Sequence, residues 1–240
     1  MELTVFRFVS ALCLALLWSV APTAAETVRF HSDDLTLKGY LCVPKGAGPF
    51  PAVVYNHGGA GNTIGGAPEA TCEALAAAGF AALSPIRRAT RSLRGHGDDV
   101  RAGLAYLMSV PGVDPDRIGM IGFSRGALLT YQAAYRMPSL KAAVIMGSGV
   151  TPWQFEDRIG DLRDLSPPLL LLVARNDTGS RRTRGRNPFA GMQEMHAGLK
   201  ALDRDVELIV YPPYSDDGHT LFFSVGPYMD DVVTFLHRHL

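Results

Sequence analysis

The chain has 240 residues, 47% hydrophobic and 19% charged, with 23 basic residues balancing 23 acidic ones. That is enough chain for one self-supporting core of ordinary globular composition. The zero net charge gives no general attraction to nucleic acid or an anionic membrane, although the cations are lopsided at 19 Arg to 4 Lys.

Residues 1–25 read as a secretory signal peptide. Arg7 precedes an apolar run from Phe8 to Trp18, and the small residues Ala21-Pro22-Thr23-Ala24-Ala25 precede Glu26. This layout predicts cleavage after Ala25 and a secreted or periplasmic protein with no stable membrane anchor afterwards. The apolar run is short for a membrane span. Residues 26–240 then form a single domain. It keeps Cys42 and Cys72, which in an oxidising compartment either pair or stay as buried thiols; both readings are open.

Taken in order, Val28 to His31 and Leu35 to Pro44 read as two strands joined around Asp33-Asp34. Ala52 to Tyr55 is a uniformly apolar strand, which suggests burial on both faces. Pro68 to Ala78 reads as an alanine-rich helix stopped by Gly79. Phe80 to Leu83 is a strand and Asp98 to Met108 a helix, with apolar residues at Val100, Leu104, Leu107 and Met108. Ile118 to Gly122 is a strand and Gly126 to Arg136 a helix. Strands follow at Leu140 to Met146 and Leu169 to Val173, then a helix from Phe189 to Leu202. The strand Val206 to Tyr211 and the helix Tyr228 to His239 close the chain. Alternating buried strands and helices imply right-handed crossovers and a mostly parallel central sheet with helices on both faces.

Functional groups of such a sheet collect at the carboxyl ends of its strands. His57-Gly58-Gly59 follow one strand and Ser124 another. Asn176 and Asp177 follow a third; Asp216, Asp217 and His219 follow the last. A serine hydroxyl becomes a useful nucleophile when a histidine takes its proton and a carboxylate orients the ring. Ser124 ends a strand, opens a helix and is flanked in Gly122-Phe123-Ser124-Arg125-Gly126, the context that gives this short motif weight.

The chain resembles the α/β-hydrolase fold, and within it the dienelactone hydrolase-like group. The resemblance is carried by Tyr55-Asn56-His57-Gly58-Gly59, by Val113-Asp114-Pro115-Asp116-Arg117-Ile118-Gly119 running into the Ser124 motif, and by Gly218-His219-Thr220-Leu221-Phe222. It covers nearly all of residues 35–240. It implies Ser124 as nucleophile, Asp177 as acid and His219 as base, with an oxyanion hole from the backbone N–H groups of Arg125 and Gly59. The reading is an acyl-enzyme mechanism on a small-molecule carboxylic ester, and no cofactor or metal is expected. A peptidase or acyltransferase on the same machinery, or a non-catalytic binding member of the fold, are the alternatives. Dienelactone hydrolases proper carry cysteine at the position of Ser124, so a muconate-pathway lactonase is not the expectation. Ala127 also departs from the glycine common there.

Asp216 and Asp217 are the rival acids. His57 is read as bracing the oxyanion turn and His96 as a loop residue. The connection from Gly147 to Pro168 is long enough for a minimal cap only, which implies an open, shallow site. There Trp153 and Phe155 either line the acyl pocket or pack the cap. Two arginine-rich stretches leave strand ends, Arg87, Arg88, Arg91 and Arg94 in one, Arg175, Arg181, Arg182, Arg184 and Arg186 in the other. They are either solvated loop charge or a basic rim that grips an acidic substrate, with Arg181 and Arg182 the named candidates. No metal cluster, dinucleotide-binding glycine loop or P-loop lysine is visible. The oligomeric state is left open.

Overall fold

A computed structural model describes residues 24–149 and 165–240. Eight strands form one sheet in the order β1-β2-β4-β3-β5-β6-β7-β8. They are β1 (Glu26–Ser32), β2 (Leu35–Cys42), β3 (Phe50–Asn56), β4 (Ala81–Ile86), β5 (Val113–Phe123), β6 (Leu140–Met146), β7 (Leu169–Ala174) and β8 (Val206–Tyr211). β1–β2 and β2–β4 pair antiparallel, and every pairing from β4 through β3 to β8 is parallel. The helices are α1 (Pro68–Ala77), α2 (His96–Met108), α3 (Arg125–Arg136), α4 (Pro188–Ala201) and α5 (Tyr228–His239).

The apolar strands divide their side chains between two cores because successive residues point to opposite faces. Ala52 and Val54 of β3 join α2, α3 and α4 on one face, while Val53 and Tyr55 join α1 and α5 on the other. β7 does the same with Leu169, Leu171 and Val173 against Leu170, Leu172 and Ala174. Helices on both sides explain why these strands read as unbroken apolar runs. The disulfide Cys42–Cys72, Cα atoms 5.7 Å apart, ties β2 to α1, which resolves the choice between a bridge and free thiols.

Several boundaries differ from the sequence reading, three of them with a bearing on the site. β5 starts at Val113, not Ile118, and its pairing with β3 shifts register between Pro51 and Ala52. There the Asp114 side chain accepts the Asp116 N–H at 2.9 Å and pairs with Arg117 at 2.7 Å. α2 starts at His96, which is a buried helical residue with its Nε2 2.9 Å from Thr90 Oγ1, not a loop residue. His219 sits in a short 3-10 helix, Gly218–Phe223, where only a strand-end loop was expected.

Candidate active site

Ser124 stands between β5 and α3 with φ 55° and ψ −114°. A non-glycine residue with positive φ is strained and persists only where the surroundings fix it. Its N–H donates to Met146 O of β6 at 2.9 Å. The turn is closed by two glycines. A Cβ on Gly126 would stand 1.9 Å from Asn56 O, and one on Gly122 2.2 Å from Gly126 O. No side chain fits such contacts, so the sharp strand-to-helix turn requires glycine at both.

From this turn a continuous chain of contacts runs inward. Ser124 Oγ lies 3.1 Å from His219 Nε2, and His219 Nδ1 lies 2.8 Å from Asp177 Oδ2. A carboxylate only accepts, so Nδ1 carries the ring proton and Nε2 is left to accept from the serine hydroxyl. Burial pushes the Asp177 carboxyl above its ordinary range, opposed by its hydrogen bond to His219. The imidazole is held by Phe123, whose ring centroid is 4.8 Å away, and by the edge of Phe223 at 6.4 Å.

The loops after β7 and β8 are pinned to each other. Asn176 Oδ1 accepts the Tyr214 N–H at 2.9 Å, and its amide donates to Ser215 O at 3.0 Å and Tyr214 O at 3.2 Å. The sequence placed this residue with Asp177 at a strand end without a role; the structure makes it the tie between the loops of Asp177 and His219. Of the rival acids, Asp216 is exposed. Asp217 caps the 3-10 helix by accepting the His219 N–H at 3.1 Å and pairs with Arg182 at 3.0 Å. Neither takes the place of Asp177 at the ring.

Opposite lies the turn after β3. Gly58 and Gly65 exchange backbone hydrogen bonds at 2.8 and 3.1 Å and close the loop. His57 Nε2 accepts the Arg87 N–H at 3.3 Å, so its Nδ1 carries the proton and donates to Gly58 O at 2.6 Å. Burial, aided by the Arg87 guanidinium, pushes His57 down to about 3. It is therefore a neutral brace at ordinary pH. The Gly59 N–H has no acceptor among the described residues. The Arg125 N–H heads α3, where helix geometry supplies no intrahelical partner.

These groups line one cavity of about 520 Å3, which holds Ser124, His219, Gly59 and Arg125. Ile64, Leu93 and Phe223 supply apolar wall that the sequence reading did not single out. Arg182 lines it, and its guanidinium lies 5.9 Å from the Phe223 ring centroid. Arg181, expected beside it, is exposed and does not line the cavity, because the turn that follows directs Arg184 and Arg186 there instead. In the first arginine stretch, Arg87 is buried, Arg88 pairs with Asp99 at 2.8 Å and Asp33 at 2.9 Å, and only Arg91 reaches the cavity. Trp153 and Phe155 lie outside the described residues.

The model of the dienelactone hydrolase family matches residues 86–224. The chain belongs to that family. An uncharacterized peptidase of Bacillus subtilis is 27% identical over 132 residues, 52% of this chain and 51% of that protein. The chain thus spans about half the length of this relative. The acylaminoacyl peptidase of Pyrococcus horikoshii superposes with a TM-score of 0.72 at 21% identity, covering 93% of this chain and 43% of that one. An esterase of Pyrococcus furiosus superposes with a TM-score of 0.68 at 19% identity, covering 90% and 93%. The fold of this dienelactone hydrolase family member is therefore the α/β-hydrolase fold, the scaffold of both enzymes.

Proposed function

We propose that this chain is an exported serine hydrolase that cleaves a carboxylic ester through an acyl-enzyme. The observation that carries the reading is the unbroken contact chain Ser124 Oγ–His219 Nε2–Asp177, at 3.1 and 2.8 Å, opening onto the cavity. Ser124 Oγ attacks the acyl carbonyl while His219 Nε2 takes its proton. The carbonyl oxygen, now negative, is met by the N–H groups of Gly59 and Arg125, each such donor worth about 3 kcal/mol of transition-state stabilisation. His219 returns the proton to the departing alkoxide, and the alcohol leaves. Water then attacks the acyl-enzyme with His219 as base, and the carboxylic acid departs. Asp177 keeps the ring in the required tautomer and stabilises the imidazolium.

Cleavage of an amide is the second reading. It is favoured by the similarity to the Bacillus peptidase and the Pyrococcus acylaminoacyl peptidase, and it needs only that His219 protonate an amine instead of an alkoxide. Export is supported by the make-up of residues 1–25 and by the Cys42–Cys72 bond, which belongs to oxidising compartments. The test is a fluorophosphonate probe with parallel assays on p-nitrophenyl acetate and an acyl-amino-acid amide. Labelling lost in Ser124→Ala together with ester turnover supports the proposal. Labelling that survives Ser124→Ala, or no labelling of the wild type, overturns it; turnover of the amide alone moves the assignment to the second reading.

A further inference from the structure

Five arginines, Arg91, Arg125, Arg182, Arg184 and Arg186, line the cavity over Ser124, and no aspartate or glutamate among the described residues lines it. Arg182 is neutralised by Asp217. Among the described residues, the Arg125 side chain donates to the neutral carbonyl of Ser92, at 3.2 Å. No carboxylate among the described residues pairs with Arg91, Arg125, Arg184 or Arg186. Burial depresses the Arg125 guanidinium below its ordinary range, and the charges of Arg184 and Arg186 add to that depression. All three line the same cavity.

The turn that brings them together is built, not loose. The buried Thr183 hydroxyl accepts the Ser180 N–H at 2.9 Å and donates to Arg186 O at 2.8 Å. Gly185 N–H closes on Ser180 O at 2.9 Å, and Arg184 takes a positive φ of 55°. Like charges held together by a preformed turn are a cost to the folded protein that a bound anion relieves. A single carboxylate neutralises one guanidinium and leaves its neighbours facing each other. The planar fork of arginine also matches phosphate and carboxylate oxygens in pairs, which a lysine ammonium does not.

We propose that this pocket selects substrates that carry, beside the acyl bond, a group with two or more negative charges, a phosphate or pyrophosphate ester or a polycarboxylate. The inference rests on the reading of Ser124 as the acyl-accepting residue and names the substrate class of that site. Arg184 and Arg186 from one loop and Arg125 from α3 grip the group; Arg91, from the loop after β4, lines the same cavity.

The test compares three p-nitrophenyl esters: the neutral acetate, the singly charged hemisuccinate and the doubly charged mono-ester of tricarballylic acid. The enzymes are the full chain, Arg184→Gln, Arg186→Gln and Arg186→Lys, each checked for folding by circular dichroism. In the full chain at low salt, kcat/KM for the doubly charged ester exceeds that for the singly charged one by about tenfold, and the ratio shrinks in 0.5 M salt as the charges are screened. Each Gln variant cuts the ratio by about three- to tenfold, and Arg186→Lys by less. Separately, binding of inorganic pyrophosphate and of tricarballylate to Ser124→Ala is measured by calorimetry. Binding of either supports the proposal, and their order separates the phosphate source from the polycarboxylate one. Equal kcat/KM for all three esters, or a doubly charged ester no better than the singly charged one, overturns it. The two readings fail separately. Esters turned over without charge preference, with no anion bound, sink the substrate class and leave the hydrolase. Anion binding lost in Arg184→Gln, with no ester turned over, leaves the anion site and sinks the hydrolase.

Discussion

Asp177 Oδ2 stands 2.8 Å from His219 Nδ1, with both side chains almost wholly shielded from water. The other carboxylate oxygen, Oδ1, has no donor among the described residues. The carboxylate is thus committed to one bond, and its charge is kept in a poorly solvated place by the imidazole it orients. Asp177→Asn preserves shape but can offer an N–H where only an acceptor is wanted, which turns the ring to the wrong tautomer. We expect kcat to fall by about 10,000-fold, the scale of an amide replacing a triad carboxylate, with the circular dichroism spectrum unchanged. Asp216→Asn, altering an exposed residue, stays at wild-type activity. Stopped-flow or steady-state hydrolysis of p-nitrophenyl acetate checks both, and an active Asp177→Asn beside a dead Asp216→Asn reassigns the acid.

The glycines of the serine turn differ sharply from a glycine elsewhere in the chain. A Cβ at Gly126 would overlap Asn56 O and His57 O at 1.9 and 2.7 Å, all backbone, so nothing can rotate out of the way. Gly126→Ala must push β3 and α3 apart, and we expect a loss of more than about 3 kcal/mol of stability together with activity. A Cβ at Gly97, in the first turn of α2, meets nothing within 4 Å. Gly97→Ala removes unfolded-state freedom without a clash and should raise stability by about 0.5–1 kcal/mol. Urea midpoints of the two variants test this; a shift of the same sign in both contradicts the packing described for the turn.

The sheet and the residues at its carboxyl edge were legible in the sequence because both follow from local pattern. Leu169 to Val173 has one run of apolar residues whichever neighbours it finds, and Ser124 announces its turn through Gly122 and Gly126. The arginines were harder. Arg87, Arg88 and Arg91 lie within five residues, yet one is buried, one is ion-paired to Asp99 and one faces the cavity. Nothing local distinguishes them; Arg87 is tied to His57 and Arg88 to Asp33 and Asp99, residues far apart in the chain. The role of Asn176 was not legible for the same reason, since its hydrogen bonds run to Tyr214 and Ser215 across 38 and 39 positions. Its choice of partners depends on β7 and β8 being neighbours, a fact of topology and not of spacing.

His57 gives the fold a specific weakness toward acid. Its folded value is pushed down to about 3 from the ordinary 6.5, first by burial and then by the Arg87 guanidinium. Between those values the unfolded chain binds the proton and the folded one does not, so stability falls as pH drops below about 6.5 toward 3. Above that window the ring is neutral in both states and contributes no slope. His57→Asn keeps a donor near Gly58 O and removes the titration. We expect the variant to be less stable than wild type at pH 7, for lost packing, but to lose less further stability on going to pH 4.5. Urea titrations at pH 7, 6, 5 and 4.5 give the slopes. Parallel slopes for the two proteins would show that the ring titrates freely when folded.

The bond between Cys42 and Cys72 joins the last residue of β2 to the middle of α1 across 30 positions of chain. Closing a loop of that length in the unfolded chain removes conformational entropy equivalent to roughly 3–4 kcal/mol of folding stability on the loop-entropy account. The bridge lies in the core on the α1 and α5 face, away from the cavity, with both cysteines fully buried. Its effect should therefore appear in stability and not in the hydrolysis proposed at Ser124. The double variant Cys42→Ala/Cys72→Ala is expected to unfold at a lower urea concentration by an equivalent of about 3 kcal/mol, while kcat/KM for p-nitrophenyl acetate under native conditions is retained. Wild-type protein treated with a reductant should stay bridged until it is partly unfolded, because the buried sulfurs are out of reach of an attacking thiolate. Ready reduction of the native protein, scored by thiol alkylation and mass, would contradict that burial.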